Sequence, residues 1–489
     1  MAPRRIPRVL IIVAAIASVL MIAALYRRDI SGESWSRVVE GFTHSHNVEG
    51  DPEAVEGFDR AHRLPTAESF RGRHFEKVVA LPGLSISETR KTCNWTADAK
   101  VNFMFGADVD WNVQERPDSE IDPRRRQWQD FVRNSLAYKD VESRFSGRGI
   151  VLLAGNGDTL MRTKVLLRAL RGLNSKVPVE VHYYGDEMDE AKKQQLTEIY
   201  PNTVFNDLAS TDNIMQANFS TSLVNYQLKT AAIVNSRWAE ILLLDSDNIP
   251  VIDPAELWDS PTYQEYRTVF WPDMARTRPP NPAWAITNTR CRMDEFELES
   301  GQLLVDKSRF WYHVQLAAFM NNDPDRYYDG FLLGDKDTFR FAWHALKTRY
   351  GRPTRWLTSI GTVHQGNSNS YCGHSFAQHH PDDGRVAFLH GGLLKTMSPA
   401  VMRWHREVQG GVFRYYKRAP NDRDPSAVND IGIRWIQNEQ IPGLPKDNPA
   451  QWCTDMPDIE ARDMDEVLPG FERVFTEIGG YWPLEKGAE

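Results

Sequence analysis

The sequence predicts an α/β fold built on a Rossmann-like mixed sheet and preceded by one N-terminal transmembrane helix. Three observations lead there. From Gly149 onward, apolar runs of strand length alternate with amphipathic segments of helix length, the pattern of a sheet with covering helices. One run, Ile241-Leu242-Leu243-Leu244, is apolar without interruption, as a strand buried on both faces requires. The stretch from Val9 to Tyr26 holds 18 residues without a charge.

That first stretch, as a helix, spans roughly 27 Å, close to the thickness of an endoplasmic-reticulum bilayer. Arg4, Arg5 and Arg8 precede it, and Asp29 and Glu33 soon follow Arg27 and Arg28. The positive-inside rule then leaves residues 1–8 in the cytosol, residues 9–26 as a signal anchor and the body in the lumen. A cleaved signal peptide is the competing reading, against which the length of the apolar core counts. Residues 27–90 are polar, with runs such as Ser31-Gly32-Glu33-Ser34, and read as a stem. Residues 91–147 read as an N-terminal helical subdomain with a helix from Arg124 to Tyr138.

Asn94-Trp95-Thr96 and Asn218-Phe219-Ser220 are glycosylation acceptors by pattern. Cys93, Cys291, Cys372 and Cys453 permit two disulfides in three connectivities, and their spacing fits no zinc site. Four buried thiols are the alternative. The hydrophobic share of 41% and charged share of 25% are those of a globular protein. A net charge of −8 gives no support for a nucleic-acid partner. The 15 Trp suit stacking on sugar rings and equally suit a core.

Residues 148–400 read as the catalytic domain. Ile150 to Ala154 is a buried strand, Gly155-Asn156-Gly157 a turn, and Asp158 or Thr159 the cap of a helix carrying Leu160, Val165, Leu166, Leu167, Leu170 and Leu173. Val179 to Tyr184 is the next strand. Asp189 caps a helix through Ile199, and Val204-Phe205 is a short third strand. A helix from Tyr226 to Arg237 leads into the Leu-rich strand. This succession predicts parallel neighbours. Farther on, Gly301 to Asp306 reads as a strand, Phe310 to Met320 and Asp335 to Tyr350 as helices, and Ala387 to His390 as a late strand. Residues 401–489, rich in Trp, Pro and charge, read as an extension packed on the catalytic domain.

The chemistry concentrates where the Leu-rich strand ends, at Asp245-Ser246-Asp247. Open α/β sheets bind ligands at strand ends, and paired carboxylates suit Mg²⁺ or Mn²⁺ shared with substrate phosphates. A solvated loop is the other reading of the pair. Two carboxylates from one turn cannot complete an ion's shell, so a distant ligand is expected. His390, ending an apolar strand before Gly391-Gly392, is the candidate, and imidazole favours Mn²⁺; a structural histidine is its alternative. Gly155 and Asn156 could let backbone approach a nucleotide. Arg162 and Lys229 could meet phosphate oxygens. Glu299-Ser300-Gly301-Gln302 places polar groups beside open backbone, which makes Glu299 and Gln302 donor-side candidates. Asp335 is a catalytic candidate or simply the cap of its helix, and Asp337, in the first turn, favours the dipole and could also face the cleft in a catalytic or acceptor-binding role.

As an ordered set these segments resemble the fungal Golgi α-mannosyltransferases of mannan outer chains. The likeness runs over about residues 145–400: Arg148-Gly149-Ile150-Val151 to Asn156, Lys229-Thr230-Ala231, Leu244-Asp245-Ser246-Asp247-Asn248-Ile249-Pro250, Glu299-Ser300-Gly301-Gln302, Gly334-Asp335-Lys336-Asp337-Thr338-Phe339 and His390-Gly391-Gly392. The resemblance implies a GT-A fold, GDP-mannose as donor, a mannose-containing glycan as acceptor, an α-1,2 or α-1,3 linkage formed with retention, and Mn²⁺ or Mg²⁺ as cofactor. It implies Asp245, Asp247 and His390 as the metal site, and a single-pass type II protein of the Golgi membrane. Two other readings stand beside it. One is a UDP-sugar transferase on the same fold, and the other is a decayed, membrane-anchored carbohydrate-binding protein.

Overall fold

The computed structural model describes residues 74–96, 101–103, 116–135, 143–155, 157–217, 219, 225–363, 371–391, 394–419, 434–438 and 451–485. All of them belong to one of the chain's two units, Glu49–Glu489. The expected anchor 9–26, most of the stem, Asn156, Asn218 and Gly392 lie outside the described residues. Among the described residues no helix is long and apolar enough to cross a membrane.

The chain enters the main sheet after helix α1 (Asp118–Asn134). This helix begins earlier than Arg124, because Pro117 is extended (ψ 147°) and Asp118 and Glu120 favour the positive helix end. Then come β1 (Arg148–Leu153), α2 (Gly157–Gly172), β2 (Val179–Tyr183), α3 (Glu190–Ile199), β3 (Thr203–Asp207), α4 (Gln227–Asn235) and β4 (Glu240–Leu244). Helix α2 opens at Gly157, so Asp158 and Thr159 sit in its first turn instead of capping it. Asp189 does cap α3, accepting from Lys192 N at 2.8 Å.

Beyond β4 follow β5 (Asn248–Pro250), β6 (Thr268–Pro272), β7 (Leu298–Asp306), α5 (Trp311–Asn321) and α6 (Lys336–Ala345). Strand β7 starts before Gly301, so Glu299 lies within it. Helix α6 stops five residues short of Tyr350, since Lys347 turns left-handed (φ 52°) and Thr348 N bonds back to Trp343 O at 3.0 Å.

The first sheet has the order β3-β2-β1-β4-β7-β6 among the described residues. Its β3-β2-β1-β4 part is parallel, whereas β7 runs antiparallel to both β4 and β6. The sheet is therefore mixed. Ile241, Leu242, Leu243 and Leu244 are all fully buried at its centre, each side chain contributing about 1.5–3 kcal/mol of transfer free energy.

A second, antiparallel sheet was not legible apart from β10. It contains β8 (Thr358–Val363), β9 (Tyr371–His379), β10 (Val386–His390), β11 (Tyr415–Lys417), β12 (Arg434–Asn438), β13 (Gln451–Asp455) and β14 (Arg462–Asp463), with helices α7 (Pro399–Val408) and α8 (Phe471–Glu477). Strands from both sides of residue 400 share it, as β11 pairs with β8 and β13 with β9. The disulfides are Cys93–Cys291 and Cys372–Cys453, the second joining β9 to β13.

Strand β5 pairs with β10 in this second sheet, opposing Asn248 to His390. The Asp245-Ser246-Asp247 turn is thus the point where the chain leaves one sheet for the other.

Candidate functional site

The crossing turn is held from below by backbone and amide groups. Asp245 N donates to Gly301 O at 2.9 Å, and Asn248 Nδ2 donates to Gly301 O and Gln302 Oε1, both at 2.8 Å. Gly391 N donates to Asp247 O at 3.1 Å, which fixes β10 to the turn. Gln302 is fully buried and supports Asn248 from there.

His390 faces the turn. Its Nε2 lies 3.5 Å from Asp247 Oδ1 and 3.8 Å from Asp245 Oδ2, and its Nδ1 lies 3.4 Å from Glu299 Oε1. The ring fits because Gly301 has no side chain: a Cβ there would stand 2.6–2.8 Å from three ring atoms. One ligand atom from each of Asp245, Asp247 and His390 falls within 4.8 Å of the others. Among the described residues, buried His390 Nε2 and Asp247 Oδ2 make ion-pair contacts, to Asp247 Oδ1 at 3.5 Å and Lys395 Nζ at 3.3 Å, but no hydrogen bond of good geometry. Buried polar atoms are ordinarily satisfied, and two carboxylates with an imidazole, once the ring has given up its proton, fit a divalent cation of the Mn²⁺ type.

The electrostatics agree with a seat for positive charge. Burial alone would lower the His390 imidazole, but Glu299 and Asp247 outweigh it and hold it well above its usual range. Burial would raise Glu299, yet His390, the Gly301 N–H at 2.8 Å and Lys229 bring its carboxyl down to about 2. Asp247 is likewise held low, with His390 and Lys395 overcoming burial. Asp245 moves the other way: burial and the neighbouring Asp247 and Asp335 exceed the pull of Lys229.

Cations stand on both sides of the acidic turn. On the Asp245 side, buried Lys229 Nζ lies 3.0 Å from Asp245 Oδ1, 3.1 Å from Asp335 Oδ2 and 3.0 Å from Ser300 Oγ. Burial opposes its charge, and Asp245 and Asp335 more than restore it. Asp335 occupies the cap position of α6 without a capping bond, its carboxylate being turned to Lys229. On the Asp247 side, Lys395 Nζ lies 3.3 Å from Asp247 Oδ2 and is partly exposed. A cavity of about 230 Å³ opens there, lined by Asp158, Arg162, Asp247 and Lys395 and walled by Met402 and Trp482.

Of the expected residues, the structure therefore brings together Asp245, Asp247, His390, Glu299, Lys229 and Asp335, with Arg162 at the cavity. Gly155 follows β1 and gives its N–H to Thr159 Oγ1 at 3.1 Å. Asp337 is placed elsewhere: it is 1% exposed and accepts from Leu298 N at 3.2 Å and Arg340 Nε at 2.8 Å. Burial pushes its carboxyl up to about 6 against the pull of Arg340. Arg340 continues to Glu295 at 3.1 Å, and Glu295 to His344 at 2.8 Å, so Asp337 belongs to a buried charge network under α6. Lys395 escaped the sequence reading. Its only signal was a cation five residues after His390, beyond a glycine pair. Asn94 is exposed beside the Cys93–Cys291 bridge.

Residues 147–295 and 283–380 match the family model described as "Mannosyltransferase putative". The chain is 26% identical over 284 residues to the α-1,2-mannosyltransferase MNN21 of Candida albicans, covering 47% of this chain and 42% of that one. It is 22% identical over 389 residues to MNN2 of the same organism, covering 64% and 63%. It is 24% identical over 285 residues to MNN2 of Saccharomyces cerevisiae, covering 47% of each. The chain thus spans about half the length of the curated relatives it matches. Among solved structures, the WbbM bifunctional glycosyltransferase aligns with a TM-score of 0.29 at 11% identity, over 41% of this chain and 37% of that one. The galactosyltransferase LgtC aligns with a TM-score of 0.27 at 14% identity, over 41% and 73%.

Proposed function

We propose, from the premise that this chain is a relative of the fungal α-mannosyltransferases, that it moves mannose from GDP-mannose to a mannose-containing glycan on a GT-A-like fold. The observation that carries the reading is the crossing turn, where Asp245 and Asp247 face His390 between two cationic flanks.

Asp245, Asp247 and His390 would hold a divalent ion, which when bound supplies Lewis-acid neutralisation of the leaving diphosphate. Lys395 and Arg162, at the cavity on the Asp247 side, would bind the diphosphate oxygens and carry part of the charge that develops there. Lys229, Asp335 and Ser300 form the polar wall on the Asp245 side, where the mannosyl hydroxyls would be oriented. Glu299 holds the imidazole of His390 from behind, the role of a carboxylate that orients a metal-binding histidine. The expected linkage is α-1,2 or α-1,3 with retention. Retention is assigned to front-face attack, in which the acceptor hydroxyl enters on the side from which GDP leaves and gives its proton to the departing phosphate.

The same reading makes residues 9–26 a signal anchor and the body a lumenal Golgi domain. The two disulfides support an oxidising compartment, and exposed Asn94 is available for glycosylation.

The test is a transfer assay with GDP-mannose, GDP and UDP-sugar controls and short α-mannosides, with Mn²⁺ and with EDTA, the product linkage read by NMR. Mannosyl transfer that EDTA abolishes is expected. Transfer from a UDP-sugar alone, or undiminished transfer in EDTA, overturns the reading.

A further inference from the structure

The exposed large apolar side chains among the described residues are Tyr226, Leu333, Val408 and Val474. Val408 and Val474 belong to helices α7 and α8. Tyr226 and Leu333 are different, for both fall at the edge of the candidate site. Tyr226 is 48% exposed and stands immediately before α4. Lys229 follows three residues later, and Lys229 N bonds to Tyr226 O at 3.1 Å, so the two side chains leave one face of the same turn.

They also reach the same corner of the neighbouring chain. The ammonium of Lys229 meets Asp335 at 3.1 Å. The ring of Tyr226 lies on Gly334, where a Cβ would stand 3.1 Å from ring Cγ and 3.2 Å from Cδ2. Gly334 has a left-handed φ of +67°, so glycine both permits the backbone turn and seats the ring. Asn321 Nδ2 donates to Tyr226 O at 3.2 Å and fixes the backbone beneath it. Leu333, 39% exposed, adjoins Gly334. One face of the phenol ring is therefore backed by main chain, and the side chain remains about half open.

This platform lies on the Asp245 side, beside Lys229 and Asp335, whereas the cavity with Lys395 and Arg162 lies on the Asp247 side. A nucleoside diphosphate belongs with the exposed cations, which leaves the ring on the side of the transferred sugar. An immobilised aromatic face presents apolar area at low cost in conformational entropy. A pyranose offers the complementary surface, an apolar C–H face rimmed by hydroxyls, and the acceptor ring must lie next to the transferred one.

We infer that Tyr226, seated on Gly334, is the stacking platform for the acceptor, taking the terminal pyranose ring of an α-mannoside. The inference rests on the transfer reading above and assigns the acceptor side of that site.

The test is direct binding, which does not depend on turnover. Saturation-transfer NMR on the purified full-length chain, irradiating the aromatic protons, is run with α-mannobiose in the presence and absence of GDP and Mn²⁺. Wild type should transfer saturation to the C–H protons of one sugar face. Tyr226→Ala should weaken mannobiose binding about three- to tenfold, while Tyr226→Trp should hold it within about twofold and the GDP affinity should stay unchanged in both. The platform is refuted by three results: mannobiose affinity unchanged in Tyr226→Ala, Tyr226→Trp as weak as the alanine variant, or no binding of mannobiose to the wild type. Failure of GDP to bind, with mannobiose still recognised through Tyr226, would count against the GDP-mannose donor and leave the platform standing.

Discussion

Replacing Gly301 by alanine should disable the candidate metal site without touching any of its ligands. The added Cβ would lie 2.6 Å from His390 Cε1, 2.7 Å from Nδ1 and 2.8 Å from Nε2, well inside the 3.4 Å at which ordinary contact begins. The ring has little room to retreat. It is 7% exposed, carries Glu299 on one nitrogen and faces Asp245 and Asp247 on the other, and its main-chain carbonyl accepts from Ser375 Oγ at 2.7 Å. The backbone of Gly301 is pinned as well, since its carbonyl accepts from Asp245 N and Asn248 Nδ2. Overpacking of this kind costs about 1–3 kcal/mol. If the ring yields by rotating away from the carboxylates, that cost appears as roughly a 10- to 100-fold loss of Mn²⁺ affinity. Calorimetric titration of Mn²⁺ into wild type and variant reads the affinity, and thermal unfolding without metal reads how much of the cost falls on the fold. Wild-type Mn²⁺ affinity in the variant, with an unchanged melting temperature, would show that His390 does not ligate from this position.

Four further outcomes are expected. Lys229→Met strands the buried carboxylate of Asp335 and the half-buried one of Asp245 and should lower stability by about 3–5 kcal/mol in chemical denaturation, part of which Asp335→Asn should restore in the double variant. Lys395→Ala, on a partly exposed cation 3.3 Å from Asp247, should weaken GDP binding by about tenfold with little change in melting temperature. Glu180 is buried and bonded to Ser236 Oγ at 2.6 Å and to Arg237 N at 3.0 Å. Burial would raise its carboxyl, but His182, Ser236 and Arg237 bring it down to about 2 from an ordinary 4.5. Its folded pKa is thus the lower one, so its stabilisation is complete above pH 4.5 and fades as pH falls toward about 2; Glu180→Gln should flatten acid unfolding across that window. Removing the Cys372–Cys453 bridge, whose partners are 81 residues apart, by Cys372→Ala with Cys453→Ala should cost about 4 kcal/mol by loop-closure entropy, read as a lower denaturation midpoint.

The first sheet apart from β6 was legible because those strands carry their burial in their own sequence. β1 and β4 are apolar runs, β2 sets Val179, Val181 and Tyr183 in alternation with Glu180 and His182, and α2 and α3 show their inner faces by periodicity. The second sheet was hidden because its central strand does not look like a core strand. β9 reads Tyr-Cys-Gly-His-Ser-Phe-Ala-Gln-His, yet every one of its residues is buried. Three of its side chains bond to distant main chain: His374 Nε2 to Val412 O at 2.6 Å, Ser375 Oγ to His390 O at 2.7 Å and Gln378 Nε2 to Pro272 O at 2.8 Å. No local pattern encodes such partners.

The same division runs through the site. Asp245 and Asp247 were marked by the strand before them, and His390 by the strand it ends. The tie from Lys229 to Asp335 spans 106 positions and could be seen only once α6 was in place. Asp337 lies apart from that group for a local reason. Two residues from Asp335 on a helix, it must point to a different side, and there Arg340, one turn on, takes it.

The Asp245-Ser246-Asp247 turn bridges two sheets whose strands are otherwise separately ordered. Asp245 follows the last residue of a strand in one, while Asp247 and His390 border a three-residue ladder in the other. A cation clasped there would act as a rivet through the seam. Occupancy would then register as greater resistance of the whole body to heat, and slippage between the two sheets would be felt first as a change in the bite of the clasp.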